Sequence, residues 1–407
     1  MGSSIAPSIF NDIIYTPPDS IFELTKKYNG DQNALKVNLG QGTYKDENGN
    51  PWILPAVQAA KEKIKDSNHE YLPILGLLSF RTLATELVFG SSAAVVREKR
   101  ISSCQALSGT GALHVAGKML YEALGSDTIV YITNPSWSNH RQVFESIGFH
   151  VEEYTYSSPE TDGVDISSLL KTLNEAAPKS IFVLHASAHN PSGWDPSSEE
   201  WMVIGQIMKE RHLVPIFDAA YLGITSGDYD KDAFVIRYFA EALSLEVAVC
   251  LSFAKSMGLY GERVGLCAFV SHSTTAAEAV ESTLARFIRI EISNPPAFGA
   301  RIAAAVLEDE SIAAEWGRNL VTMSSRIAEM RSQLYKELDQ LGTPGYWERI
   351  TRQKGMFCIL GLNPQQVSVL QEKYHIYMAA SSRVSIAGLN WSNVRYVAEC
   401  IDKVVRE

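Results

Sequence analysis

Leu213-Val214-Pro215-Ile216-Phe217-Asp218 is a short apolar run that stops on a carboxylate. A run this continuous suits a strand covered on both faces, not one that lines a solvated sheet. Comparable runs lie at Ile101–Leu107, Ile129–Thr133, His150–Tyr156, Ser180–His185, Glu246–Phe253 and Gly265–Val270. Helical patterns at Ala112–Leu124, Trp137–Ile147 and Glu199–Arg211 separate them. That rhythm predicts an α/β unit, a mostly parallel sheet covered by helices.

Beyond Pro295-Pro296 the pattern changes. A long helical stretch from about Ala300 to Leu341 meets the turn Thr343-Pro344-Gly345. Strand-like Met356–Leu360 and Ile376–Met378 follow, then a closing helix from about Trp391 to Val405. These predict a smaller α+β unit, completed by residues ahead of the first large-unit helix. The expected division is an N-terminal arm over 1–14, a small domain from 15–50 and 323–407, and a large domain over 51–322.

The 407 residues, 46% hydrophobic and 20% charged, are enough for such a pair of domains without disulfides or structural metals. A net charge of −10 and the lack of long basic runs argue against nucleic acid as a partner. The five cysteines form no C-x-x-C pair, which fits reduced thiols and speaks against zinc or a disulfide framework. Residues 1–20 hold no arginine and no cationic apolar signal, and Ala6 spoils a myristoylation motif at Gly2. No apolar run is long enough to span a bilayer. The expected location is the cytoplasm.

Polar residues collect where strands should end, and in open α/β sheets ligands sit beyond those ends. Ser108-Gly109-Thr110-Gly111 follows the first strand and opens a helix. It reads equally as a tight turn or as an anion cradle of backbone N–H groups and hydroxyls. A dinucleotide loop would need its third glycine where His114 stands. Trp137 follows Asn134-Pro135-Ser136 and could stack on a planar ring or simply cover a helix end. Asn190 lies in His185-Ala186-Ser187-Ala188-His189-Asn190-Pro191, where it could donate to a phenolate. His185 and His189 lack a third metal ligand nearby, so packing and hydrogen bonding are their expected roles.

Asp218 needs a buried partner, and a protonated pyridine nitrogen would serve, with capping of the next turn as the plain alternative. Tyr221 follows three residues later. Lys255, in Ser252-Phe253-Ala254-Lys255-Ser256, is an amine beside an apolar strand, where imine chemistry becomes accessible. Arg263 could pair with a phosphate beside it. Arg289 and Arg383 could each bind a carboxylate or form routine surface ion pairs.

In this order the motifs resemble class I aspartate aminotransferases, the fold-type I pyridoxal-phosphate (PLP) enzymes, over nearly the whole chain. The likeness is carried by Val37-Asn38-Leu39-Gly40, Tyr71-Leu72-Pro73-Ile74, Ser108-Gly109-Thr110-Gly111-Ala112-Leu113 and Asn134-Pro135-Ser136-Trp137. It continues through His189-Asn190-Pro191-Ser192-Gly193, Gly258-Leu259-Tyr260-Gly261-Glu262-Arg263 and Ser293-Asn294-Pro295-Pro296. It ends on Gly355-Met356-Phe357 and Gly361-Leu362-Asn363-Pro364.

The resemblance implies a seven-stranded sheet, a PLP-binding large domain and a role for each matched residue. Lys255 would be the Schiff-base lysine and proton shuttle. Asp218 would pair with the pyridine nitrogen, with His140 behind it. Asn190 and Tyr221 would bind the phenolic oxygen, and Trp137 would stack on the ring. Ser108, Gly109, Thr110, Ser252 and Arg263 would hold the phosphate, with Tyr71 lent by a second subunit. Arg383 would clamp the α-carboxylate and Arg289, also lent, the distal one, beside a substrate mouth that includes Gly42. The implied unit is a homodimer with shared active sites, with the first fourteen residues as an arm across the interface.

Four departures alter the rim. The loop reads Gln41-Gly42-Thr43-Tyr44 where the family has an aliphatic residue and then Gly-Ala-Tyr. Leu222 replaces glutamine, Ser187 cysteine, and Ser382 a glycine. The implied activity is reversible amino transfer between L-aspartate or L-glutamate and a 2-oxo acid, 2-oxoglutarate or oxaloacetate. The alternative is a specialised paralogue acting on another amino acid, or a PLP-dependent lyase or decarboxylase in secondary metabolism. The missing glycine fingerprint disfavours a dehydrogenase, and Lys255, Asp218 and Arg263 together disfavour a non-catalytic scaffold.

Overall fold

The structure, a computed structural model, describes residues 8–158 and 161–407. The first seven residues of the expected arm over 1–14 lie outside the described residues.

A short strand, β1 (Val37–Asn38), precedes the large sheet. That sheet contains β2 (Ile101–Leu107), β3 (Ile129–Asn134), β4 (His150–Thr155), β5 (Ile181–His185), β6 (Val214–Ala219), β7 (Ala248–Ser252) and β8 (Val264–Val270). Its spatial order is β2-β8-β7-β6-β5-β3-β4. Only β8 runs antiparallel to its neighbours; the other pairings are parallel. Each expected strand has its counterpart here. Burial explains the sequence patterns: β5, β7 and β8 are buried at every residue. The edge strand β4 buries only Val151 and Tyr154, and its outward Glu152 and Glu153 discourage pairing with another chain. Along β5, Phe182 and Leu184 join one hydrophobic core while Ile181 and Val183 join the other, so the sheet is packed on both faces.

The helices begin where their capping chemistry allows. Ser197 and Glu200 form a capping box at the start of Ser198–Glu210. The helix Ser108–Leu124 follows β2 with no loop, Ser108 turning the chain at a φ of 59°. Gly265 of β8 permits that sharp entry, since a Cβ there would come within 2.8 Å of the Ser108 backbone.

One expectation needs correction. The stretch from Ala300 to Leu341 is two helices, Ala297–Glu308 and Glu310–Gln340. Asp309 breaks it, being extended and accepting from the N–H groups of Ser311 and Ile312 at 3.0 and 3.2 Å.

The remaining strands are β9 (Phe357–Ile359), β10 (Ile376–Tyr377) and β11 (Arg383–Ser385). β1 pairs in parallel with β10, and β9 pairs antiparallel with β11. Residues from before and after the large sheet thus build one smaller unit, closed by the helix Val394–Arg406. The helix Glu310–Gln340 packs against both this closing helix and Pro55–Lys63, and so ties the two parts together.

Candidate active site

The strand register puts Leu107, Val264, Ser252, Ala219 and His185 on one edge of the large sheet. The residues singled out in the sequence lie at or close to such strand ends, and the structure brings most of them together.

Asp218 is buried at the end of β6. His140 Nε2 lies 3.0 Å from its Oδ2, and Ser136 Oγ lies 2.9 Å from His140 Nδ1. The network assigns the proton to Nε2, so that Ser136 donates to His140 and His140 donates to Asp218. Burial alone would raise the Asp218 pKa, but the hydrogen bond from His140 and the electrostatics of its surroundings, Lys255 included, outweigh it and the net shift is downward. Asp218 is therefore a carboxylate. Its Oδ1 is buried with no partner, an arrangement that costs stability unless something cationic or N–H-bearing meets it.

Lys255 sits just beyond β7, with Nζ 5.1 Å from the centre of the Tyr221 ring. Burial lowers its pKa, with Arg263 adding to the effect and Asp218 opposing it. An amine so placed is more easily neutral, the form that attacks a carbonyl. Burial pushes the Tyr221 phenol up, and a hydrogen bond with Asn190 partly offsets this.

Ser108 Oγ and Ser252 Oγ are 2.7 Å apart, joining the end of β2 to that of β7. Gly109 and Thr110 lie beside them in the first helical turn, whose N–H groups lack intrahelical partners. Arg263 enters β8 at a φ of 53° and donates to Tyr260 O at 2.9 Å. Hydroxyls, a helix N-terminus and a guanidinium on one sheet edge form a cradle for a phosphate. Trp137 meets His140 edge-on at 5.2 Å.

Arg383, at the start of β11, brings the smaller unit to this edge. It donates to Gly40 O at 2.8 Å and to Asn190 Oδ1 at 3.2 Å, while its Nε is buried without a partner. Phe357 lies under the guanidinium at 4.4 Å. The same ring explains Gly42, where an added Cβ would come within 2.6 Å of it. Ser382, in place of a glycine, holds a φ of 58°. Its Oγ accepts from Gly361 N at 3.0 Å, which helps fix a conformation that glycine reaches without strain.

Tyr71 and Arg289 do not join this cluster. Tyr71 is 88% exposed, and Arg289 is exposed in the last turn of Thr274–Glu291. Their loops are neighbours: Arg289 binds Ser293 Oγ, Ser293 binds Asn294, and Asn294 donates to Leu72 O at 2.8 Å.

Sequence reasoning gave no role to Tyr260 or Phe357, although both lie in the quoted motifs. Tyr260 OH accepts from Tyr44 N at 2.9 Å, and so anchors the far end of the Gln41–Tyr44 loop. His185 and His189 pack in a file behind Asp218, with ring centres 4.3 Å apart and pKa values depressed by burial. They are neutral imidazoles. His189 contacts Thr133 Oγ1 and Ser192 Oγ at 2.9 and 2.7 Å.

A half-buried amine, a carboxylate kept ionised, a phosphate cradle and an unsatisfied arginine define a site for an amine-exchanging aromatic cofactor and a carboxylate-bearing substrate. Comparison with known proteins agrees: the family model for aminotransferase class I and II matches residues 34–401, and the chain belongs to that family. It is 45% identical to the cytoplasmic aspartate aminotransferase of Saccharomyces cerevisiae, over 99% of this chain and 98% of that protein. It is 43% identical to aspartate aminotransferase 3, chloroplastic, of Arabidopsis thaliana, over 98% of this chain and 89% of the relative. The solved aromatic-amino-acid aminotransferase of Burkholderia pseudomallei, covalently bound to pyridoxal phosphate, superposes with a TM-score of 0.95. It is 38% identical, over 98% of this chain and 100% of that one. The protein is a PLP-dependent aminotransferase with the α/β fold of that class.

Proposed function

We propose that this aminotransferase moves the amino group between L-aspartate or L-glutamate and 2-oxoglutarate or oxaloacetate. The observation that carries the reading is the buried, unpaired Nε of Arg383 facing the same site as Lys255 and Asp218. Support for the dicarboxylic substrates comes from the names of the yeast and Arabidopsis relatives and from the retention of Arg289.

The residues fit pyridoxal phosphate, because the buried Asp218 Oδ1 has no partner without it and the paired Ser108 and Ser252 hydroxyls stand at a helix N-terminus beside Lys255. When bound, the cofactor supplies an aldehyde that exchanges amines and a pyridinium ring that takes up the electron pair left by α-proton removal. Ser108, Gly109, Thr110, Ser252 and Arg263 hold its phosphate. Asp218, backed by His140, keeps the ring nitrogen protonated, Trp137 covers the ring face, and Asn190 and Tyr221 bind the phenolic oxygen. Lys255 Nζ anchors the cofactor, then takes the proton from the substrate α-carbon and passes it on. Arg383 holds the α-carboxylate so that the α-proton faces Nζ. Gly42 borders the substrate mouth and admits the Phe357 ring that lies under the Arg383 guanidinium.

The active unit in this reading is a homodimer, with the partner subunit's Tyr71 reaching the phosphate and the partner subunit's Arg289 the distal carboxylate. Its support is the exposure of both side chains on adjoining loops, together with that of Ile9, Phe10, Ile13 and Ile14 in the arm. We take 15–50 with 323–407 as the small domain and 51–322 as the large one, the helix Glu310–Gln340 being shared between them. We assign the cytoplasm on the name of the yeast relative, although the Arabidopsis one is named chloroplastic. Among the described residues no helix is long and apolar enough to cross a membrane.

Arg289→Ala tests the substrate assignment. It is expected to lower kcat/KM for aspartate by about 10²- to 10³-fold, the usual loss when one partner of an enclosed charge pair is removed. Alanine, which has no distal carboxylate, should change by less than about threefold on the same grounds. Equal losses for both amino acids would sink the assignment.

A second reading is a paralogue turned to another amino acid. Gln41 and Thr43 favour it, since Gln41 presents an amide next to Gly40, whose carbonyl Arg383 binds, and Thr43 holds a buried unpaired hydroxyl in the same loop. Comparing amino acids in a single half-reaction separates the two readings.

A further inference from the structure

At the edge of the large sheet opposite the active site, where β5, β6 and β7 begin and β8 ends, there is a cavity of about 390 Å³. Its inner walls are the buried Leu213 and Val247, just ahead of β6 and β7, and Phe269 of β8, with Met119 and Val280 from two helices. The mouth is different in character. Lys179, Lys209, His212 and His272 line it, all exposed, against one acid, Glu246. Glu246 Oε1 already accepts from the backbone N–H of His272 at 2.9 Å. Among the described residues none of the four basic side chains has an ion-pair partner. In a chain of net charge −10, a basic mouth over an apolar floor runs against the overall balance and concentrates anions locally.

We infer that this cavity is a second ligand site, for a small organic anion that carries one carboxylate, sulfonate or phosphate on an apolar ring or chain. The apolar body enters between Phe269, Met119 and Val280, and the anionic group stays at the Lys179–Lys209 mouth. The volume is at the lower end for ligand pockets, which limits the occupant to a compact molecule. No residue of the amino-acid site lines the cavity, so occupancy leaves that site free.

The probe is 8-anilinonaphthalene-1-sulfonate, with N-phenyl-1-naphthylamine as the same aromatic body without the charge. Both are titrated into the holoenzyme by fluorescence, with excess maleate present to occupy carboxylate sites elsewhere. The sulfonate is expected to bind once per chain, at least tenfold more tightly than the neutral amine, and more weakly as salt rises. Lys179→Glu with Lys209→Glu, both exposed positions, should weaken the sulfonate at least tenfold, leave the amine within twofold and leave transamination unchanged. Val280→Trp should abolish binding of both. Equal affinity of the two probes, absence of sulfonate binding, or sulfonate binding untouched by the double charge reversal would each overturn the inference.

Discussion

Lys255→Ala protein is expected to fold, to bind pyridoxal phosphate without covalent attachment, and to lose transamination by about 10⁴-fold or more, since the anchor and the proton carrier are one group. The geometry supports this size of effect. No other amine in the site is described near the Tyr221 ring, where Nζ lies 5.1 Å from the centre. Burial depresses the Lys255 pKa, so that the neutral amine is more accessible than in a solvated lysine. The check has two parts. Borohydride reduction followed by mass spectrometry of peptides should find the cofactor on Lys255 in the native protein and nowhere in the variant. Activity within tenfold of the native value would show that another group moves the proton.

Asp218→Ala is the second large effect, expected to lower kcat by about 10³-fold, because a preorganised charge that supports the transition state is removed from a buried site. Asp218 is held as a carboxylate by His140 at 3.0 Å and leaves Oδ1 unpaired. A role limited to capping the next turn would need no such orphan and would cost stability more than turnover. The two accounts separate on rescue. A cofactor analogue methylated on the ring nitrogen carries a permanent positive charge, and it should recover at least tenfold of the activity lost in Asp218→Ala. A fall in thermal stability with no rescue would assign Asp218 a structural role instead.

Much of the architecture was legible because burial on two faces leaves a plain signature. β5 and β7 read as continuous apolar runs and are buried throughout, and the polar residues at their ends proved to share one edge. The site followed from the same logic, since Asp218 and Lys255 stand where apolar runs stop. The break at Asp309 was missed because apolar periodicity persists across it, although an Asp followed by Glu310 and Ser311 is a capping signal. β10 lies within the strand-like Ile376–Met378, but its pairing with the two-residue β1 was beyond periodicity, since a strand that short carries no pattern. The same is true of the anchoring of the Gln41–Tyr44 loop. Its contacts, Gly40 to Arg383 and Tyr44 to Tyr260, join residues far apart in the chain, and one of them uses a backbone carbonyl that no side-chain motif reports.

Lys255, Asp218 and Arg383 together equip this site for the first half of an amino transfer on dicarboxylic amino acids. The direct measurement is a single half-reaction: holoenzyme mixed with one L-amino acid at a time, without any oxo acid, while cofactor absorbance and released oxo acid are followed. Aspartate and glutamate should convert the cofactor to its amine form faster than any other amino acid, with one oxo acid released per active site. Faster conversion by a different amino acid, or product released without conversion of the cofactor, would contradict the account and give the altered rim at Gln41 and Thr43 the deciding role.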